Sequence, residues 1–575
     1  MVFIFLSTIF WYLFFQSLGN TLLRSLHIVD DNPFLSVWIG FLFGAFLALF
    51  MALWLPLDNS VTRLTIGVAA LPGISPTLHA WRTIFVGVGR RTLFLCGCCF
   101  CFLVLLQGAI SCFGPMPYDT ELYHQQTVLW LREYGLVPGL GNLHFRLAQI
   151  SGWLALAAIV DWGPFQTRVA FIMPPLCLLS TLLYLFYGAC RDRVLLKRAY
   201  LLSLLLLSCL YFSNFFTAYL FHSPGIFYDR PALILYCIFI AELLDVFLGK
   251  RTHNSLINKL KLISLIICAS ILFKPIGLPA VIFYIVVLFI CLLTKKISYL
   301  DLLSIVWIPA AVGALWITIN CILSGYPFFP LSFYHIPRDW SMQEQEVDVM
   351  RRAVQGFARW PRHGWSKALD SGLTYWFVPW LKQNLSNKIF LAGIVTPFFL
   401  GGALWLKAFI IRANLWKKLF FFSLALLQLV YWFFQHPNTR FGLELFWCWL
   451  ALALVFSLPA KHVPYIHYSR NVLIILVLMV CITFAQGAHA VDLMYRDEDG
   501  FEWLLQPPSH GTYPLVQPYI LHKGSPDEFT LYTSAPKHEL CGNSPLPCAP
   551  SMKEDLFLQN PRDLGEGFIF RNIKK

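Results

Sequence analysis

Thr92-Leu-Phe-Leu-Cys-Gly-Cys-Cys-Phe-Cys-Phe-Leu-Val-Leu-Leu-Gln-Gly-Ala-Ile-Ser111, with Pro117-Tyr-Asp-Thr-Glu-Leu-Tyr-His124 close behind it, decides how this chain reads. The first stretch is almost wholly apolar, and a helix needs about 20 such residues to cross the hydrocarbon core of a bilayer. The second places two carboxylates, Asp119 and Glu121, where the chain leaves that core. The rest of the loop, Val137-Pro-Gly-Leu-Gly-Asn-Leu-His-Phe-Arg146, adds an imidazole and a guanidinium in a Gly-rich segment.

Composition extends this reading to the whole chain. Of 575 residues, 58% are hydrophobic and 13% charged, about half the charge density of a soluble domain. On the length criterion about thirteen stretches qualify as spans. They lie near 2–18, 34–56, 92–112, 168–188, 199–216, 231–248, 262–275, 276–294, 302–323, 388–406, 418–434, 442–458 and 471–488. The stretch 64–78 is apolar but short and broken by Gly and Pro, which reads as interfacial. The expected fold is an all-α polytopic membrane protein with a small extracytoplasmic C-terminal α/β or β domain. The boundaries are 1–488 for the membrane domain and 489–575 for the tail.

The net charge of +13 sits largely in short loops between spans. That distribution orients helices in a membrane and gives no reason to invoke nucleic acid. Arg63, Arg82, Arg90 and Arg91, then Arg191 to Arg198, Lys250 to Lys261, Lys295 and Lys296, Lys407 to Lys418, and Lys461 with Arg470 fall on one side under this count. The positive-inside rule then places the N-terminus in the cytoplasm and the C-terminus outside. Three long segments face outward: 113–167, 324–387 and the tail. Cys541 and Cys548 in the tail are spaced to close a small disulfide loop in an oxidising compartment. The other cysteines fall mostly inside apolar runs, where they behave as small hydrophobes. The run Cys96–Cys101 lies mid-span without histidine partners and does not supply the four converging ligands of a structural zinc site. A Walker loop, a GxGxxG after a strand, HExxH and a nucleophile elbow are all missing from the sequence.

Several polar groups stand where chemistry is expected. Asp119 and Glu121 open a helix that continues through Tyr123 and Trp130 and reads as lying along the membrane surface. A carboxylate there deprotonates or orients an acceptor hydroxyl; equally, an Asp at a helix start is an N-cap. His144 and Arg146 follow in the same loop. Asp229 and Arg230 begin a span, either as functional groups at membrane depth or as a local ion pair with Pro231 at a helix start. Lys274 breaks the run Ile271–Pro279, as a phosphate contact or as a snorkelling lysine. Arg440 is nearly alone in a short outer loop, suited to bidentate grip of phosphate or to interface anchoring. The second outer loop, rich in Trp, Tyr and Arg, suits either a glycolipid cover or an interfacial belt.

The string Asp119-Thr-Glu-Leu-Tyr…Trp130…Tyr134-Gly-Leu-Val-Pro138…Gly141…His144 resembles the first outer loop of the GT-C glycosyltransferases. It is similar above all to bacterial protein mannosyltransferase relatives and to the aminoarabinose transferase acting on lipid A. Asp229 at a span start, Lys274-Pro-Ile-Gly-Leu and Arg440-Phe extend the resemblance. It implies an enzyme of the bacterial cytoplasmic membrane that takes a sugar from a polyprenyl-phosphate donor. The sugar passes, with inversion, to an extracytoplasmic lipid, glycan or protein acceptor. By the same resemblance Asp119 is the base or acceptor-positioning carboxylate, assisted by Glu121. Tyr123, His144, Arg146, Asp229, Arg230, Lys274 and Arg440 form the substrate-binding set, with Lys274 and Arg440 on the donor phosphate. No metal ligand set is assigned, although carboxylates of this kind are able to take up a divalent cation. Two departures stand out: the acidic pair is Asp-Thr-Glu rather than adjacent, and Leu143-His-Phe-Arg146 replaces the family's Lys-Pro-Pro. The alternatives are a polysaccharide polymerase or ligase using polyprenyl diphosphate, or a non-enzymatic lipid or glycan transporter.

Overall fold

The computed structural model describes residues 1–87, 90–113, 116–192, 194–211, 225–249, 251–359, 372–387, 390–411, 414–457, 516–534, 540–551 and 553–571. The span expected at 471–488 and the first part of the tail lie outside the described residues. Within them the protein is mostly helical, with a small sheet region at the C-terminal end. Among the described residues eight helices are long and apolar enough to cross a membrane, and Leu35–Met51, Phe94–Gly108 and Leu443–Ser457 are shorter apolar segments.

In chain order the helices that frame the site begin with α1 (Val2–Ser25), α2 (Leu35–Met51), α3 (Ser60–Gly87) and α4 (Arg90–Phe113). Next come α5 (Gln125–Glu133), α6 (Leu140–Leu143), α7 (Gly152–Val160), α8 (Val169–Arg191) and α9 (Leu195–Tyr211). Then follow α10 (Asp229–Leu248), α11 (His253–Phe273), α12 (Leu278–Leu293) and α13 (Tyr299–Ser324). After α14 (Glu344–Arg359) and α15 (Leu373–Leu385) come α16 (Thr396–Ile410), α17 (Leu415–Gln435) and α18 (Leu443–Ser457).

The stretch read as interfacial is part of α3, which packs lengthwise on α1. Pro72 and Pro76 sit inside it, and neighbouring helices make such residues tolerable in apolar surroundings. Gly73 is the point of contact: a Cβ there would lie 1.8 Å from the Ser17 carbonyl oxygen. Only a missing side chain lets the two backbones approach so closely. Thr77 adds hydrogen bonds to Asn20 and Ser17, and Trp81 donates to Gln16.

This extra helix changes where the chain begins. Ile4, Cys112 and Phe171 form one small cluster, the Phe3 and Phe165 rings are 5.7 Å apart, and Arg168 lies over Phe3. The N-terminus therefore sits at the same end of the helices as the 113–167 loop. The end of α2 is there too, since Leu57 and Asp58 donate to the Leu131 and Arg132 carbonyls. The N-terminus and the 113–167 loop, expected on opposite sides, thus lie at one end of these helices, because α3, read as interfacial, runs along α1.

The opposite end is held by a buried ionic network. Lys197 contacts Glu242 at 2.8 Å and Asp192 at 2.9 Å. Lys259 contacts Glu242, and Asp30 and Asp245 at 3.3 Å. Tyr184 donates to Glu242 at 2.9 Å. Each charge in this apolar setting has an opposite partner, the condition on which buried ions are tolerated.

Towards the N-terminal end of α10 the packing positions the site. Trp153 in α7 meets Phe41 of α2 and Phe273 of α11, each at 5.4 Å. Ser151 donates to the Phe273 carbonyl at 2.7 Å, pinning α7 to the residue before Lys274. Between α11 and α12 only the extended Lys274 and a single turn, Pro275–Gly277, intervene, fixed by Gln428 donating to the Ile276 carbonyl.

The described C-terminal part is all β. Strands β1 (Val516–Leu521) and β2 (Phe529–Ser534) pair antiparallel, with Val516 opposite Ser534. Strand β3 (Cys548–Ala549) runs parallel to β2. Strands β4 (Leu556–Asn560) and β5 (Asp563–Phe570) form a separate antiparallel hairpin. A disulfide joins Cys541 to Cys548.

Candidate functional site

Asp119, Asp229, Lys274 and Arg440 come from four separate segments and meet in one ionic cluster. Arg440 is the hinge. Its Nε and Nη2 reach Asp229 Oδ2 at 2.7 and 2.5 Å, and its Nη1 reaches Asp119 Oδ2 at 2.7 Å. Lys274 Nζ donates to Asp229 Oδ1. Two carboxylates thus face two cations, and a planar guanidinium fork is what makes such sharing possible.

Local structure explains each placement. Arg440 lies in the turn Thr439–Phe441, whose start is closed by Asn438 accepting from the Arg440 backbone N–H. Asp229 opens α10, and the chain before it is tied down by the Ile226 N–H donating to Thr120 Oγ1 at 3.4 Å. Asp119 has helical φ and ψ and makes no capping hydrogen bond. The N-cap reading of Asp119 therefore fails, because its carboxylate is spent on Arg440. The turn that follows it, Thr120–His124, is π-helical, a geometry found mostly as single turns and often at functional sites. Helix α5 does not lie along a surface, since Gln125 to Val128 and Trp130 to Arg132 are buried.

Aromatic rings wall the cluster. Lys274 Nζ is 3.8 Å from the Phe441 ring centre, and the Arg440 guanidinium is 4.5 Å from Phe227 and 5.1 Å from Phe441. The Tyr123 and Tyr228 hydroxyls are 3.0 Å apart, and Arg146 lies over the Tyr123 ring at 5.3 Å. The cluster has a closed and an open side: the Asp229 side chain is 1% exposed, whereas those of Asp119 and Arg440 are 21% and 25% exposed. Beside Tyr228 and Pro275 lies a small cavity of about 10 Å³, lined also by Ser151, Phe273, Trp316 and Asn320.

Burial pushes the Asp119 carboxyl up, but the Arg440 guanidinium, with Arg146 behind it, outweighs burial and holds the carboxyl below the ordinary Asp range. Burial drives His124 down to about 3, so this imidazole is neutral at physiological pH, and its Nε2 has no hydrogen-bond partner.

Other expected residues lie elsewhere. Glu121 is two positions from Asp119, and residues so spaced on a helical turn do not face each other. Its backbone carbonyl accepts from the Cys541 and Gly542 N–H groups. His144 is held down to about 3 by burial, with Arg146 and Lys553 of the C-terminal part adding to it. Arg230 is buried in the first turn of α10 and its charge acts on Glu444 of α18. Phe227, Tyr228 and His124 went unassigned in the sequence reading; the aromatic pair just before Asp229-Arg230 was the available signal. Among the described residues no three His, Cys, Asp or Glu side chains converge to hold a metal ion.

The chain belongs to a family described as a domain of unknown function (DUF8201), whose model matches residues 1–447. No curated protein and no solved structure matches it. All four cluster residues fall within the matched stretch, and the disulfide loop falls beyond it.

Proposed function

We propose that this protein is an inverting membrane glycosyltransferase that moves a sugar from a polyprenyl-phosphate donor to an extracytoplasmic acceptor. The observation that carries the reading is the cluster itself. One partly exposed carboxylate and two cations converge where the apolar helices end, around a fully buried Asp229.

The chemistry follows from the pairing. With Arg440 on it, Asp119 is a weak base. A donor phosphate that takes the Arg440 Nη1 for itself releases Asp119. The carboxylate then accepts the proton of an acceptor hydroxyl as that oxygen attacks the anomeric carbon. The carbon–phosphate oxygen bond breaks on the opposite face, and the leaving phosphate stays neutralised by Arg440 and Lys274. Arg146, over Tyr123, flanks the same opening.

In this reading the site faces away from the cytoplasm. The thirteen counted spans are extended by α3, the basic loops lie inside except that Arg63, over Trp162, moves to the outer end, and both the N-terminus and the C-terminal β part share the outer side. The membrane is the bacterial cytoplasmic one.

The test is release of labelled sugar from a polyprenyl-phosphate donor pool by the purified protein and by Asp119→Asn, in detergent with native lipid. Turnover by the unaltered protein alone supports the reading. An active Asp119→Asn enzyme removes that residue from the mechanism, and no turnover by either folded protein shifts the weight to a polymerase or transporter.

A further inference from the structure

The helical turn that follows Asp119 is gripped by a part of the chain more than 400 positions away. The Cys541 and Gly542 N–H groups both donate to the Glu121 carbonyl, at 3.1 and 2.7 Å. Gln126 Nε2 donates in return to the Gly542 and Ser544 carbonyls, both at 3.0 Å. These four bonds bracket the π-helical turn from both ends, and Gln126 is buried. Successive N–H groups converge on one oxygen when a residue turns left-handed, as in the backbone nests that usually hold anions. Gly542 supplies that turn with φ of 49°. The Cys541–Cys548 bond closes the loop that carries it, so that fewer conformations are lost when the loop docks.

We propose that the disulfide-closed loop 541–548 is a positioning element for Asp119, holding its turn through Glu121 and Gln126 so that the carboxylate meets Arg440 in one fixed orientation. A π-helical turn is a less favourable geometry than an α-helix and needs outside partners to persist. The loop provides them from the C-terminal part, which is also bound to the same outer segment through the Phe568 N–H on the Pro138 carbonyl and Asn142 on the Phe568 carbonyl. The catalytic half of the proposal rests on the glycosyltransferase reading; the structural half does not.

The test uses the full-length protein in detergent and three variants: Gln126→Leu, Cys541→Ser with Cys548→Ser, and Gln517→Ala on the exposed face of β1 as a control. Amide hydrogen exchange across 117–126 is compared with exchange in α10. Loss of the grip is expected to speed exchange in 117–126 by about tenfold while α10 is unchanged. With active protein, the donor KM stays within about twofold and kcat falls at least about tenfold, the signature of misplacement rather than lost binding. Unchanged exchange in 117–126 for both Gln126→Leu and the double serine variant overturns the proposal. If the double serine variant does not fold, Gln126→Leu decides alone. Faster exchange in a protein that transfers no sugar leaves the positioning role standing and defeats only the glycosyltransferase reading.

Discussion

Arg440 Nη1 lies 2.7 Å from Asp119 Oδ2, across 321 positions of sequence. The same guanidinium grips Asp229. The two carboxylates differ in burial, and that difference separates their roles. Asp229→Asn leaves Lys274 and Arg440 short of a buried partner and is expected to cost about 3 kcal/mol of stability. Asp119→Asn removes a partly exposed partner and is expected to cost less, about 1 kcal/mol. Thermal unfolding of the two variants in detergent checks this. Equal losses would make Asp119 as structural as Asp229.

Arg440→Lys tests the double grip. One ammonium does not reproduce a fork that reaches two carboxylates. The variant is expected to lose about 2 kcal/mol of stability, and a double-mutant cycle with Asp119→Asn should return a coupling of at least about 0.5 kcal/mol. Additive losses would mean that the Asp119–Arg440 contact contributes nothing of its own.

His124 predicts an acid weakness. Its folded pKa of about 3 lies below the ordinary 6.5. Between those values the unfolded chain binds a proton that the folded protein refuses, so stability falls as pH drops below 6.5, by about 1.4 kcal/mol per pH unit for this group. At pH 5 the loss is about 2 kcal/mol relative to pH 7. His124→Phe should flatten this part of the profile, measured as Tm against pH. An unchanged slope in the variant would exclude His124 as its source.

The two chain ends should report the same side of the membrane. Tags placed before Met1 and after Lys575, probed with a membrane-impermeant reagent in sealed vesicles, are expected to label together. Labelling from opposite sides would contradict the packing of Ile4 on Cys112 and Phe171.

Most of the helices were legible because apolar length is a local property that any window of sequence displays. The sharp break at Lys274-Pro275 was legible for the same reason. Helix α3 was not. Its Gly73, Pro72 and Pro76 read as interruptions, although Gly73 is what lets α3 lie on α1. Asp119, Asp229, Lys274 and Arg440 were each visible as ionisable groups beside apolar runs. Their mutual pairing was invisible, because no periodicity links residues so far apart. Asp119 in particular satisfied the local pattern of an N-cap, and only the distant Arg440 shows where its charge goes. His144 and Arg230 stand apart from the four-residue cluster: burial keeps the His144 imidazole neutral, and the Arg230 charge acts on Glu444.

Helix α10 is fastened at both ends. Asp229 binds Lys274 and Arg440 at one end, and Glu242 binds Lys197 and Lys259 at the other, about 20 Å along the axis. A rod tied in this way resists sliding and rolling alike, since either motion strips at least one buried carboxylate of its cations. Any cycle of opening and closing must then be carried by parts of the chain other than α10, which serves as a stator.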